Sequence, residues 1–320
     1  VAVYTEVSDG DLRAFLKDYD IGSLVSFIGI AEGVENSNYL LLTDRGRYIL
    51  TLFEKRVAKD DLPFFLGLME HLSARGVPCP VPIPCRAGPA LRTLSGRPAA
   101  VVSFLDGVWA RRLWLEHCEE LGRALAHLHL ASADFPLHRR NDLSVASWRP
   151  LFERSVAEAD SVKPGLAEEL SAELDVLEKE WPADLPAGVI HADLFPDNVF
   201  FEDSRLTGLI DFYFACNDFF AYDIAVCLNA WCFETDGAFN ATKARVLLSA
   251  YRRERPFSDE ELRALPLLCR GAAMRFLLTR LYDWLNQPAG ALLKPKDPIE
   301  YLNKLRFHRA VTRPGEYGLD

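Results

Sequence analysis

His191-Ala-Asp-Leu-Phe-Pro-Asp-Asn198 is the densest run of chemistry-bearing residue types in the chain. Short apolar stretches flank it at 189–190 and 199–201, so it reads as a loop between two strands. An acid stands two positions after a histidine, and an amide five positions after the acid. A third apolar piece, 206–210, runs into a second acid, Asp211, followed by Phe212. Two carboxylates and an amide at strand ends can hold a hard divalent cation through oxygen. They can also leave one carboxylate to take a proton from a hydroxyl. The set fits phosphoryl transfer, with Asp193 orienting and deprotonating an alcohol while Asn198 and Asp211 hold Mg2+ against phosphates. Any one of these residues alone would read as a turn or cap. Their order together carries the chemistry.

Outward from this loop the chain divides in two. Upstream, residues 11–20 show a helical face of Leu12, Phe15, Leu16 and Tyr19. Strand-like stretches follow at 25–30, 39–42 and 48–53, with a turn at 44–46. A helix is expected over 62–75 and stopped by Gly76. The four prolines of 77–84 require extended chain. Two more strands are expected at 91–94 and 99–105. After Asp106-Gly107 the character changes: 113–131 repeats apolar residues at helical spacing, and 148–156, 166–180, 241–253, 259–268 and 270–285 also read as helical. The expected fold is α+β and bilobal. An antiparallel sheet with one helix occupies 1–103, a hinge 104–108, and a mainly helical lobe 109–320. The cleft between such lobes is the default ligand site.

The whole chain has 320 residues, 49% of them hydrophobic and 26% charged, which is the composition of a globular protein rather than a disordered one. The net charge of −10 speaks against extended binding to DNA or to anionic membranes. It permits a small anionic ligand held in a local patch. The longest apolar region, 209–233, is interrupted by Asp211, Asn217, Asp218 and Asp223, so it reads as a buried core and not a bilayer helix. Seven cysteines without a CxxC pair argue for reduced core thiols and a cytoplasmic setting. The N-terminal VAVYTEVSDG has no basic start or apolar core of a signal peptide.

HADLFPDN followed by IDF resembles the HxDxxxxN and acid-Phe pair of the protein-kinase-like, aminoglycoside-phosphotransferase-type small-molecule kinases. Within that superfamily the chain is most similar to the homoserine kinases of the same type. The similar stretches are GVENSNYLL (33–41), YILTLFEKR (48–56), GVPCPVPI (76–83), HADLFPDNVFF (191–201), the run 210–234, RFLLTRLYDWL (275–285) and KPKDP (294–298). The resemblance implies a kinase-like fold, ATP and Mg2+ as cofactors, and L-homoserine as the small-molecule acceptor in threonine biosynthesis. It implies Asp193 as base, Asn198 and Asp211 as metal ligands, and Asp223 as an organiser of the catalytic lobe. His191 is expected to brace the loop, and a monomer or weak homodimer is expected.

The expected N-lobe lysine is missing. Thr51 stands in its place, and Lys55 and Arg47 share its strand face at a distance of roughly 13 Å. Lys55 is taken as the phosphate contact, with Glu70 the one mid-helix acid able to pair with it. Gly33, Asn36 and Ser37 stand where the resemblance expects a phosphate-covering loop, and Phe104 stands where it expects the adenine-binding hinge. A zwitterionic acceptor needs an acid and an arginine or amides. Tyr213, Asn217, Asp218, Arg275, Arg280 and Asp283 are the candidates, and of the two arginines only one can face the cleft because five helical residues separate them. Trp231 is a candidate for the acceptor pocket wall. Two rival functions remain: a kinase for another alcohol (choline, methylthioribose, a hydroxylated amino acid or an aminoglycoside), and a non-catalytic nucleotide-binding pseudokinase, which Thr51 favours.

Overall fold

Period-two alternation in the first hundred positions builds a five-stranded antiparallel sheet. The computed structural model describes residues 5–30, 36–54, 57–287 and 295–319. Helix α1 (Asp9–Leu16) opens on Ser8, whose hydroxyl oxygen accepts from the Asp11 N–H. Then come β1 (Leu24–Gly29), β2 (Ser37–Thr43), β3 (Gly46–Leu52), α2 (Leu62–Ala74), β4 (Arg92–Leu94) and β5 (Arg97–Ser103). The sheet order is β1-β2-β3-β5-β4, so β3 is central, with Thr51 opposite Asn38 on one side and Ala100 on the other. Alternation sorts the side chains into two cores. Leu50, Leu52, Ala99 and Val101 pack with Leu12, Phe15 and Tyr19. Ala100 and Val102 face the other way and join α2 in a core that continues through the helical lobe. After Gly76, at φ +81°, the proline-rich chain runs extended beside β5, with N–H groups of Ile83 and Ser103 donating to Val101 and Val81 carbonyls.

Residues 104–107 lead to β6 (Val108–Trp109). The helical lobe then consists of α3 (Leu115–Ala131), α4 (Val145–Glu153), α5 (Val156–Val162), α6 (Leu166–Glu180), β7 (Ala187–Ile190), β8 (Val199–Glu202), β9 (Arg205–Leu209), β10 (Cys216–Phe219), α7 (Phe220–Trp231), α8 (Ala241–Glu254), α9 (Asp259–Leu285) and α10 (Pro298–Ala310). Two small antiparallel sheets, β6-β8-β9 and β10-β7, carry the segments on either side of residues 191–198.

Several expectations shift. The segments 259–268 and 270–285 are one helix, α9, running through Pro266. It is buried on most of its circumference from Leu265 to Leu281, so neighbouring elements stabilise it despite one missing backbone hydrogen bond, and no amphipathic stripe marks it. The stretch 148–156 is split: α4 begins earlier, at Val145, and α5 restarts at Val156. Strand β10 lacks alternation because it is four residues long and is held by pairing with β7. All seven cysteines are free and buried, as expected of core thiols. Among the described residues no helix is long and apolar enough to cross a membrane.

Glycine permits the close crossing of α3 and α8. A Cβ on Gly122 of α3 would stand 2.2 Å from the Leu247 carbonyl oxygen of α8, a backbone atom that cannot swing away. Gly122→Ala should therefore cost about 1–3 kcal/mol through overpacking. Gly10→Ala, in open space on α1, should be neutral or slightly stabilising. Thermal denaturation of the two variants checks this, and equal melting temperatures would refute the packing argument.

Candidate active site

The site is built on one buried carboxylate. Asp223, in the first turn of α7, is fully buried. Its Oδ2 accepts the His191 N–H at 2.8 Å and its Oδ1 the Ala192 N–H at 2.9 Å, while His129 Nε2 lies 3.1 Å from Oδ2. Burial works to push the Asp223 pKa up, but the His129 hydrogen bond and the loop N–H groups bring it below its ordinary value. His129, buried beside it, is held neutral by desolvation. Ala192 adopts φ +62°, a left-handed conformation unusual for alanine, and Asp223 holds the peptides on both sides of the preceding bond in that turn.

His191 carries the constraint onward. It is fully buried, and desolvation pushes its pKa down, so it is neutral. Its Nε2–H donates to the Ile210 carbonyl at 2.9 Å, and its Nδ1 accepts from the Asp193 N–H at 3.3 Å. One imidazole thus joins the loop bearing Asp193 to the strand end bearing Asp211, itself at φ +63°. The Ile210 N–H donates to the Asn198 carbonyl. The Asn198 side-chain Nδ2 donates to the Asp193 carbonyl at 2.8 Å, which leaves its Oδ1 as the end available to a cation. Asp193, Asn198 and Asp211 are therefore tied into one constellation through His191, Ile210 and the Asp193 peptide.

A cavity of about 220 Å³ opens beside the loop. Its wall includes Asp61 and Phe65 of the sheet lobe, and Arg139, Tyr213, Tyr222 and Arg275 of the helical lobe. Arg139 is fully engaged: its Nε donates to Asp61 at 2.7 Å, its Nη2 to Asp142 at 3.0 Å, and its plane lies over the Phe65 ring. Arg275, 4% exposed, donates from Nη1 to the Ala192 carbonyl at 3.0 Å and to Asp193 Oδ1 at 3.3 Å. Its guanidinium lies over the Phe276 ring at 3.9 Å.

The other sequence candidates scatter. Tyr213 reaches the cavity wall, edge-on to Phe53 and Phe65, and burial pushes its phenol pKa well up. Asn217 and Asp218 lie behind the wall: Asn217 Oδ1 accepts the Arg139 N–H and Asp218 accepts from Asn141 Nδ2, so both shape the segment carrying Arg139. Arg280 points away from the cavity, paired with Glu300 at 2.6 Å over the Tyr301 ring. Five residues turn a helix well past one full revolution, which separates Arg280 from Arg275. Trp231 is fully buried under the loop, where its indole N–H donates to the Leu194 carbonyl; it supports the loop and does not line the cavity.

In the sheet lobe, Asn36 Oδ1 accepts the Glu54 N–H and Ser37 Oγ donates to Glu54 Oε1. Both side chains are buried, so phosphate contact there would fall to backbone N–H groups. Thr51 donates to Asn38 Oδ1 at 2.8 Å. Arg47 is committed to Asp106 and covers the Phe104 ring in the segment between the lobes. Glu70 is exposed on α2. Gly33 and Lys55 lie outside the described residues. Sequence reasoning missed Arg139 and Tyr222. Arg139 stands in a loop without a motif, and only tertiary pairing brings it to the cavity. Tyr222 is adjacent to Asp223, and in a helix buried all round no periodicity separates a wall residue from a core residue.

A family model described as the phosphotransferase enzyme family matches residues 26–257. Proteins named homoserine kinase from Rhodospirillum rubrum and Xanthobacter autotrophicus are 66% and 65% identical to the chain over 319 residues, covering 100% of it and 99% of each relative. Among solved structures, a spectinomycin phosphotransferase in complex with ADP and spectinomycin aligns with a TM-score of 0.68 at 13% identity over 98% of each chain. An amicoumacin kinase in complex with AMP-PNP, Ca2+ and Ami aligns with a TM-score of 0.68 at 15% identity, over 97% of this chain and 93% of that one. The fold is thus the bilobal kinase-like one.

Because Asp223 accepts three N–H groups as an ionised acid, Asp223→Asn should destabilise the protein by on the order of 3 kcal/mol at neutral pH, an amide donor being forced against donors. A lowered pKa contributes stability that is complete above the ordinary carboxylate value and lost as pH falls through the folded-state value. Urea titrations at pH 7 and at acid pH should therefore show the gap between wild type and variant shrinking with acid. A constant gap would contradict the ionised assignment.

Proposed function

The chain belongs to the phosphotransferase enzyme family, and from that membership we propose that it is a kinase transferring the γ-phosphoryl group of ATP to the hydroxyl of L-homoserine, giving ADP and O-phospho-L-homoserine. The observation that carries the phosphotransfer chemistry is the loop that His191 and Asp223 hold, with Asp193, Asn198 and Asp211 on it. The acceptor is supported by full-length identity of 63–66% to proteins of that name.

Asp193 is read as the base. It orients the acceptor hydroxyl and takes its proton as the oxygen bonds to the γ-phosphorus. The bond from that phosphorus to the bridging oxygen breaks, and ADP leaves with the electron pair. Arg275 holds Asp193 through Oδ1 at 3.3 Å, while Oδ2, which has only a long 3.5 Å contact from Asn198 Nδ2, is read as the oxygen that meets the acceptor. Asn198 Oδ1 and the Asp211 carboxylate are hard oxygen donors of the kind Mg2+ takes. Mg2+ bound there would neutralise charge on the phosphates. The nucleotide is read as binding between a lobe of residues 1–103 and a lobe of residues 109–320, with Phe104 assigned to the hinge and Gly33, Asn36, Ser37 and Lys55 assigned to phosphate binding. Tyr213 is assigned to the acceptor wall. The seven unpaired thiols fit work in a reducing cytoplasm, and a monomer or weak homodimer suffices because the site lies within one chain.

ADP release with MgATP should occur with L-homoserine and not with L-serine, choline, methylthioribose, kanamycin or no acceptor. Turnover on another member of the panel would keep the mechanism and replace the substrate. Silence on every acceptor with ATP still bound would make the protein a binding module. Asp193→Asn should lower kcat by about 10²–10⁴-fold while nucleotide affinity, read by calorimetry, stays within a few-fold.

A further inference from the structure

Tyr222 is the unexplained group in the cavity wall. It is 2% exposed, and its hydroxyl is buried without any hydrogen-bond partner. A buried hydroxyl without a partner costs stability that an apolar ring would not. Nothing in the helix packing requires it, since the ring alone makes the edge contact with Trp181. Burial holds the phenol protonated, so it is a donor as well as an acceptor, and the guanidinium of Arg275 is the charge that acts most strongly on it.

Arg275 is also incompletely used. Both of its hydrogen bonds, to the Ala192 carbonyl and to Asp193 Oδ1, come from Nη1. Its Nε and Nη2 make none among the described residues, although the side chain is 5% exposed and packed on Phe276 and Phe214. The other arginine in the wall offers no comparable capacity, because Asp61 and Asp142 already neutralise Arg139. Two residues of the cavity wall, Tyr222 and Arg275, are thus buried and carry donor capacity that no described protein group uses.

We propose that Tyr222 and the free edge of Arg275 bind the α-carboxylate of the amino-acid acceptor, and that Tyr222 is a specificity-determining residue. The inference rests on the reading of this cavity as the acceptor site. Arg275 touches the base with one nitrogen and the carboxylate with the others, so it spaces the two ends of the acceptor. A short aliphatic chain running from the carboxylate places its hydroxyl at Asp193. An alcohol without a carboxylate leaves the phenol and the guanidinium edge unpaired in a buried site, and that penalty rejects it.

The test compares L-homoserine with 3-aminopropan-1-ol, which is homoserine without its carboxylate, by steady-state kinetics at saturating MgATP. Tyr222→Phe should lower the ratio of kcat/KM for L-homoserine over 3-aminopropan-1-ol by about ten- to a hundredfold, the loss carried by KM for L-homoserine. The free variant should melt at or above the wild-type temperature, because an unpaired hydroxyl has been removed. Arg275→Lys, which keeps the charge but not the second edge, should lower the same ratio. An unchanged ratio in both variants, whatever happens to kcat, would assign Tyr222 and Arg275 to packing and overturn the inference alone. A wild-type enzyme that turns over other acceptors but not L-homoserine would overturn the acceptor reading and this inference with it.

Discussion

The carboxylate of Asp223 is the point on which the rest of the site hangs. An ionised group in a fully buried position is expensive unless each lone pair finds a donor. Here the donors are two successive backbone N–H groups and a neutral imidazole. Because two of them belong to consecutive peptides, satisfying the charge also fixes the path of the chain. The left-handed turn at Ala192 follows, and Asp193 leaves it in a set direction. The electrostatic need of a residue thirty positions downstream thereby positions Asp193.

The same logic extends through neutral groups. His191 has no charge to contribute, yet its two ring nitrogens join segments that the chain separates by a hairpin. Trp231 holds the next part of the loop through the Leu194 carbonyl. Arg275 comes from a helix more than eighty residues away and fastens the Asp193 carboxylate itself. Packed elements hold the loop at several points, which is how a short irregular segment can keep functional atoms in register.

Much of this was legible in the sequence because the determining features are local. The strands of the sheet show alternation, and Leu62–Ala74 and Leu115–Ala131 show helical stripes. The loop residues stand close enough together to be read as one unit. The illegible parts share a physical cause. Helix α9 and helix α7 are buried on nearly all sides, so no stripe distinguishes a residue that faces a cavity from one that faces the core. Tyr222 and Trp231 fell on opposite sides of that ambiguity. Arg139 could not be found at all, since its role comes from Asp61 and Asp142 and not from its neighbours in sequence. Asn217 and Asp218 had the right chemistry for a substrate site, but their hydrogen bonds are spent inside the lobe.

The buried cysteines turn the folded chain into its own gauge of opening. Alkylation needs the thiolate, and burial pushes the thiols of Cys79, Cys118, Cys216, Cys227, Cys232 and Cys269 above their ordinary pKa. While the fold is closed these sulfurs are both shielded and protonated. Each becomes reactive only when its own surroundings come apart. Cys79 belongs to the extended segment beside the sheet, Cys216 to strand β10, and Cys269 to the long helix α9. The order in which a thiol reagent modifies them under mild denaturant is a record, written in chemistry native to the chain, of which region yields first.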